Sequence, residues 1–253
     1  MDDYECYRDL IQNAKSPILF RDLLNWNLLT WSLEKWSSVF ENKAFPFRCG
    51  KRLCQKNPFW ENLCDTHEHT MNEFVTFCSD RDATKNEFWY FDYKHIVESF
   101  KENIDLFRDV CWAKAGFPER NAENSTIWIG SEGAHTPCHI DSYGYNLVAQ
   151  IYGRKRWLLF PPSETENLKP TRIPYEESSI YSSINFSCYK NFKDIKIEKC
   201  YMVDLDPGDV LFVPARWWHY VENLSTAISI NTWVPHVSIY IGIMYFPFKD
   251  DVI

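Results

Sequence analysis

The sequence predicts a mainly β protein with flanking helices (α+β), its core strands arranged as a double-stranded β-helix, the jelly-roll barrel. Three observations lead there. From Thr126 onward, short runs rich in β-branched and aromatic residues alternate with turn residues, at 126–129, 138–141, 145–152, 156–160, 200–205, 210–213, 217–221 and 227–234. Eight short strands punctuated in this way are the pattern of an antiparallel jelly roll. Residues 1–125 instead mix helical periodicity with isolated extended runs. Finally, a chain of 253 residues that is 45% apolar and 17% aromatic can fill one large core and is too apolar to stay disordered.

The chain reads as one structural domain. Residues 1–125 supply helices and strands that pack on the barrel, 126–234 form the jelly-roll core with a long polar insert at 163–199, and 235–253 are a C-terminal tail. A loop as long as that insert is commonly functional. In chain order, residues 5–14 read as a helix ended by Ser16-Pro17, and Ile18-Leu19-Phe20 as a short strand. Ser32 is placed to cap a helix over 33–40 with Leu33, Trp36 and Phe40 on one face. Phe45 to Arg48 is extended, and Thr70-Met71-Asn72-Glu73 is a capping box opening a helix that carries Phe74, Val75 and Phe77. Phe88 to Tyr93 is an aromatic strand, and 95–109 an amphipathic helix. The run Val210 to Pro214 follows a turn at Asp206-Pro207-Gly208-Asp209.

Net charge is −8, which argues against a nucleic-acid surface, since phosphate binding needs clustered Lys and Arg. The nine cysteines are odd in number and form no C-x-x-C pair, which fits free thiols in a reducing intracellular compartment, cytoplasmic or nuclear. The N-terminus lacks the basic and apolar regions of a signal peptide. No run reaches the roughly 18 apolar residues of a membrane span. The apolar stretch Val237 to Phe248 reads as a final buried strand rather than a membrane contact.

The chemistry centres on His139-Ile140-Asp141 and the distant His219. His139 and Asp141 are two apart, so on a strand they share a face and can bind one ion. Two imidazoles and a carboxylate are the set that holds non-haem Fe(II) on one face and leaves the other open. Zinc accepts the same set. The plain alternative is two hydrogen-bonded core histidines and a turn-forming aspartate. An iron oxygenase needs two electrons beyond those its substrate supplies, and a 2-oxo acid chelating the metal can provide them by decarboxylation. Its distal carboxylate then needs a cation and a hydroxyl. In Gly153-Arg154-Lys155-Arg156-Trp157, Lys155 shares a strand face with Trp157 and Leu159, opposite Arg154 and Arg156. Lys155 is therefore the candidate cation, although pattern alone favours a basic strand edge in solvent. Thr136 is the candidate hydroxyl, with a plain turn residue as its alternative.

The block Ile129 to Asp141, then Asn146, Gly153 to Pro162, Pro207 to Pro214, Trp217-Trp218-His219 and Asn231-Thr232-Trp233, resembles the JmjC (cupin-like) 2-oxoglutarate oxygenases. Within them it is similar to the small-JmjC subgroup that includes an asparaginyl hydroxylase. The run Pro170 to Ser179 narrows the resemblance to JmjC proteins named for binding a small heat-shock protein. It extends over about residues 17–234. The resemblance implies Fe(II) ligands at His139, Asp141 and His219, with Lys155 and Thr136 on the distal carboxylate of 2-oxoglutarate. It implies that Asn146, Asn231 and Tyr90 line the co-substrate site and that Trp233 is an aromatic beside the metal pocket. The implied function is hydroxylation of a protein side chain. A non-catalytic scaffold that docks a small heat-shock protein, and a zinc or manganese cupin, are the rival readings. Two departures stand out. One extra residue between His139 and Gly153, relative to the asparaginyl hydroxylase, loosens the turn at 142–145. The tail Pro235 to Ile253 does not resemble the dimer-forming C-terminal helices of relatives, so oligomeric state stays open.

Overall fold

A computed structural model describes residues 3–40, 43–52, 57–58, 60–173, 179–188 and 196–235. The strands in chain order are β1 (Ile18–Phe20), β2 (Ala44–Lys51), β3 (Asp65–Thr70), β4 (Glu87–His95), β5 (Cys111–Trp112), β6 (Phe117–Asn121), β7 (Thr126–Gly130) and β8 (His135–Asp141). They continue as β9 (Tyr145–Tyr152), β10 (Lys155–Phe160), β11 (Pro170–Thr171), β12 (Ser179–Ser182), β13 (Tyr201–Leu205), β14 (Val210–Val213), β15 (Trp218–Asn223) and β16 (Ala227–Val234). Two antiparallel sheets dominate, an eight-stranded one in the order β1-β14-β9-β16-β7-β4-β2-β3 and a six-stranded one in the order β11-β12-β8-β15-β10-β13. This is the mainly β, jelly-roll arrangement the strand spacing predicts.

The layers follow from strand alternation. On β10, Trp157 and Leu159 point inward to meet Val148, Leu211 and Val213 of the large sheet, while Leu158 and Phe160 point outward. That outer face is covered by Leu168, Ile184 and Phe186 from the insert. The outer face of the large sheet packs Leu147, Ala149 and Ile151 against the N-terminal helices and an aromatic cluster of Trp36, Phe40, Phe45, Phe91, Phe100 and Phe107. Strands such as β9 are thus buried on both faces, which is why their sequence reads as a continuous apolar run.

The local signals hold where they were chemical. Ser32 Oγ accepts from Lys35 N at the start of helix Leu33–Val39. Thr70 and Glu73 form the reciprocal capping box of helix Met71–Ser79, with Phe74 and Phe77 buried. Gly208 takes φ +97 in the 206–209 turn, and the buried Asp209 side chain accepts from Arg21 at 2.6 Å. Gly153 takes φ +60 at the β9–β10 connection, where a Cβ would lie 1.9 Å from Thr226 O.

Two expectations are corrected. The helix over 95–109 is only a short turn of α-helix, Ile96–Ser99, followed by a 3-10 segment, Lys101–Phe107, with non-helical backbone at Asn103. Phe100 is the cause: its ring lies 5.0 Å from Phe40, 5.4 Å from Phe45 and 4.9 Å from Phe107, and that aromatic packing outweighs helical continuity. The insert is not simply loop: β12 lies within it and pairs with β8, setting Tyr181 opposite His139 and Ser179 opposite Asp141. Positions 174–178 and 189–195 of the insert lie outside the described residues, as does the tail strand expected at Val237 to Phe248. Among the described residues, the cysteines are free thiols and no helix is long and apolar enough to cross a membrane.

Candidate functional site

β8 is the centre of the site. It runs between β12 and β15, and His139 stands directly opposite His219 across the β8–β15 pair. A register shift follows: three residues of β8, from His139 to Thr136, match two of β15, from His219 to Val221. In a regular strand Thr136 and His139 would face opposite sides. The extra residue in this bulge turns both into the same pocket.

His139, Asp141 and His219 bring one ligand atom each within 4.8 Å of one another. His139 Nε2 lies 3.3 Å from Asp141 Oδ1, and His219 Nε2 lies 3.8 Å from Asp141 Oδ2. Each imidazole binds a backbone carbonyl two residues back through Nδ1, His139 to Pro137 at 2.8 Å and His219 to Trp217 at 3.2 Å. That contact fixes the Nδ1–H tautomer and leaves Nε2 as a lone-pair donor facing the carboxylate, the arrangement a ligating histidine requires. Burial, and then the neighbouring His139, pushes His219 down to about 4, so its imidazole is neutral at pH 7. Burial opposes charge on His139 too, but the Asp141 contact outweighs it and raises its pKa. Asp141 is held below the usual carboxylate range, because the His219 and His139 imidazoles and the Trp233 N–H outweigh its burial. The donor set and the histidine tautomers fit a divalent metal, which would take the place of the proton that Asp141 favours on His139.

Asp141 is positioned by a directional chain. Trp128 Nε1 donates to Asn231 Oδ1 at 2.7 Å, Asn231 Nδ2 donates to Asn146 Oδ1 at 2.9 Å, and Asn146 Nδ2 reaches Asp141 Oδ2 at 3.4 Å. Trp233 Nε1 donates to the same Oδ2 at 2.9 Å. The indole N–H can only donate, so it dictates the orientation of both amides down to the carboxylate.

The deep end of the pocket is built around Lys155, which is 1% exposed. Its Nζ donates to Ser229 Oγ at 2.7 Å and to Tyr90 OH at 3.4 Å. Burial pushes its pKa down to about 7. The Tyr90 hydroxyl also hydrogen-bonds Thr136, and burial raises its pKa so that it stays a neutral donor. Arg48 braces this wall: Nε donates to Asp92 at 2.7 Å and Nη2 to His135 O at 3.2 Å, tying β2 and β4 to the start of β8. An ammonium so buried, with no carboxylate in hydrogen-bond contact among the described residues, calls for an anionic ligand. Trp157, stacked on His219 at 5.6 Å, adds a buried Nε1 that has no hydrogen-bond partner among the described residues.

Thr136, His139, Asp141, Asn146, Lys155, His219, Asn231 and Tyr90 all line one pocket of about 140 Å³. Sequence reasoning missed Ser229 and Trp128. Ser229 was within reach, because it lies two before Asn231 and four before Trp233 on one strand face. Trp128 and the Arg48–Asp92 pair carry no local signal.

The class of protein is set by the whole chain: residues 6–238 match the cupin-like domain family, and the chain belongs to this JmjC-type family. Within it the sequence is 45% identical over 240 residues to HSPB1-associated protein 1 of Homo sapiens, across 90% of this chain and 49% of that protein. It is 44% identical over 240 residues to the Bos taurus protein of the same name, with 90% and 50% covered. A more distant relative is lysine-specific demethylase 8 of Xenopus tropicalis, 30% identical over 171 residues, 65% of this chain and 36% of that one. The chain spans about half the length of the HSPB1-associated proteins it matches. Another relative is arginine-specific demethylase JMJ20 of Arabidopsis thaliana, 32% identical over 198 residues, 66% of this chain and 42% of that one.

Proposed function

We propose that this domain is an Fe(II)- and 2-oxoglutarate-dependent dioxygenase that hydroxylates a protein side chain. The observation that carries the reading is Lys155: a cation buried among the hydroxyls of Ser229, Tyr90 and Thr136, in the same pocket as the His-Asp-His set. A domain that only bound a metal, or only docked a partner, has no use for a desolvated ammonium there.

His139, Asp141 and His219 would hold the metal, and bound Fe(II) would supply oxygen activation with electrons from decarboxylation of 2-oxoglutarate. Lys155 holds the distal carboxylate of the 2-oxo acid, with Tyr90, Thr136 and Ser229 donating or accepting around it. The Trp128-Asn231-Asn146 chain and Trp233 keep Asp141 oriented and charged. The apolar wall of Val148, Trp157 and Val221 excludes water from the reacting centre. The test is conversion of 2-oxoglutarate to succinate by purified protein with Fe(II), with and without candidate peptides; no turnover under any condition overturns the reading.

The second reading is a scaffold that docks a small heat-shock protein. The similarity to proteins named HSPB1-associated protein 1 supports it. Pull-down of a small heat-shock protein by a turnover-dead domain would favour it. On either reading the protein acts in the cytoplasm or nucleus, which fractionation of cells expressing the full chain would test.

A further inference from the structure

We infer that the protein carries a second metal site, outside the pocket, in which His67 and His69 of β3 and the carboxylate of Glu73 hold a transition-metal ion of the Zn(II) type. The inference is independent of the proposed function, since none of these residues lines the pocket.

The first observation is the placing of the two imidazoles. β3 is an outer strand of the eight-stranded sheet and reads Asp65-Thr66-His67-Glu68-His69-Thr70. His67 and His69 are two apart, so both project from one face of it. Their rings stand 6.2 Å apart at 57°. Two imidazoles bound through one nitrogen each to a tetrahedral ion stand about 5 Å apart, so the pair must close by roughly 1 Å. His67 is exposed, and its ring can turn to do so. The ring of His69 is preset. It lies flat on Trp89, 3.8 Å away at 7°, and Trp89 lies flat on Phe77, 4.2 Å away at 1°. Only one side chain therefore gives up rotamer freedom when an ion binds.

The second observation is the carboxylate. Glu73 Oε2 lies 3.8 Å from His69 Nδ1, close to the roughly 3.3 Å between neighbouring ligand atoms of a tetrahedral ion. That oxygen accepts from Thr70 N at 2.7 Å and from Thr70 Oγ1 at 3.1 Å, so the capping box fixes the carboxylate beside the imidazole. Its other oxygen makes no hydrogen bond among the described residues and is left for a ligand. Asp65, two before His67 on the same face, adds negative charge. Imidazole with carboxylate is a ligand set for zinc, and imidazole also suits copper and nickel. Charge on an outer strand guards it against pairing, and Asp65 and Glu68 already serve that end. Two imidazoles turned toward one carboxylate add nothing to it, whereas a bound ion accounts for all three. The ion would tie β3 to helix Met71–Ser79, because the histidines belong to the strand and Glu73 to the helix.

The test is equilibrium dialysis of the full chain against Zn(II), with ions counted per chain, in the parent, His67→Ala, His139→Ala and the double variant. At about 10 μM free Zn(II), His67→Ala should hold one ion fewer than the parent, whatever the pocket binds. Loss of one arm of the chelate should weaken that ion at least about ten-fold, and Glu73→Gln about five-fold. His139→Ala should leave this ion in place, so that the losses of the two single variants add in the double one. With Cu(II) as the probe, electron paramagnetic resonance of His139→Ala should show two nitrogen ligands, and of the double variant one. Circular dichroism checks folding, and His67→Gln serves if His67→Ala unfolds. Equal ion counts in the parent and a folded His67 variant would overturn the inference. So would uptake that begins only above about 1 mM, which is an adventitious ion only. An ion lost with His67 in a protein whose pocket takes none would support the inference while overturning the pocket's metal assignment.

Discussion

The six-stranded sheet places His139, Asp141, His219 and Lys155 on the pocket, whereas the eight-stranded sheet places Tyr90, Trp128, Asn146, Ser229, Asn231 and Trp233 there. On the proposed function, one sheet supplies the groups that would carry charge or lone pairs for a metal and a dicarboxylate. The other supplies neutral donors and acceptors that orient them. The division separates two failures: loss of a ligand from the first sheet removes binding, and loss of a partner from the second leaves binding but loosens its geometry.

The largest expected effect is on the first sheet. His139→Ala should abolish metal binding, measured as iron per protein after anaerobic loading; unchanged stoichiometry would sink the ligand assignment. Next, Lys155→Met should weaken 2-oxoglutarate about 100-fold with little change in metal affinity, read by calorimetry. An equal loss of both would make Lys155 a structural residue.

The same residue has a pH signature. With its pKa lowered to about 7, Lys155 is protonated and ready for a carboxylate below pH 7, and must take up a proton to bind one above it. The dissociation constant for 2-oxoglutarate should therefore rise with pH above 7, by up to about ten-fold per unit. Stability moves the opposite way. A lysine whose folded pKa lies below its unfolded value of about 10.4 penalises the fold fully below pH 7, and the penalty is relieved as pH rises toward 10. Lys155→Met should thus stabilise the protein at pH 6, by about 2 kcal/mol, and little at pH 10. Denaturant titration at the two pH values tests both signs.

On the second sheet the effects shrink. Asn231→Ala interrupts the chain from Trp128 to Asp141 and should cost about ten-fold in metal affinity while leaving 2-oxoglutarate bound to the metal-loaded protein. If it abolishes metal binding outright, the two sheets do not differ as described. Smallest is Thr70→Ala, remote from the pocket, which should cost about 1 kcal/mol of stability through the lost cap and leave both ligands bound.

Much of this was legible because it rests on short-range rules. The capping box, the turn glycines and the face that Lys155 shares with Trp157 follow from neighbours along the chain. The H-x-D spacing put His139 and Asp141 on one side of a strand. The helix expected at 95–109 failed for a long-range reason, since Phe100 belongs to a cluster whose members come from as far away as Phe40. Strand alternation also misplaces Thr136 and His139, and Tyr90 and Tyr93, on opposite faces. Only the two bulges, seen in the pairing with β15 and β7, turn each pair inward.

By itself the sequence determined most of the strand succession after Thr126, the placing of His139 and Asp141 as neighbours on one face, and the face that Lys155 shares with Trp157 and Leu159, because side-chain direction along a strand is set by a period of two. The tertiary structure decided that His219 meets them, that Lys155 is buried rather than at a solvent edge, and that a hydrogen-bond chain from Trp128 ends on Asp141. Those outcomes depend on register between strands up to about a hundred residues apart, and register is fixed by the packing of the two sheets rather than by any local stretch.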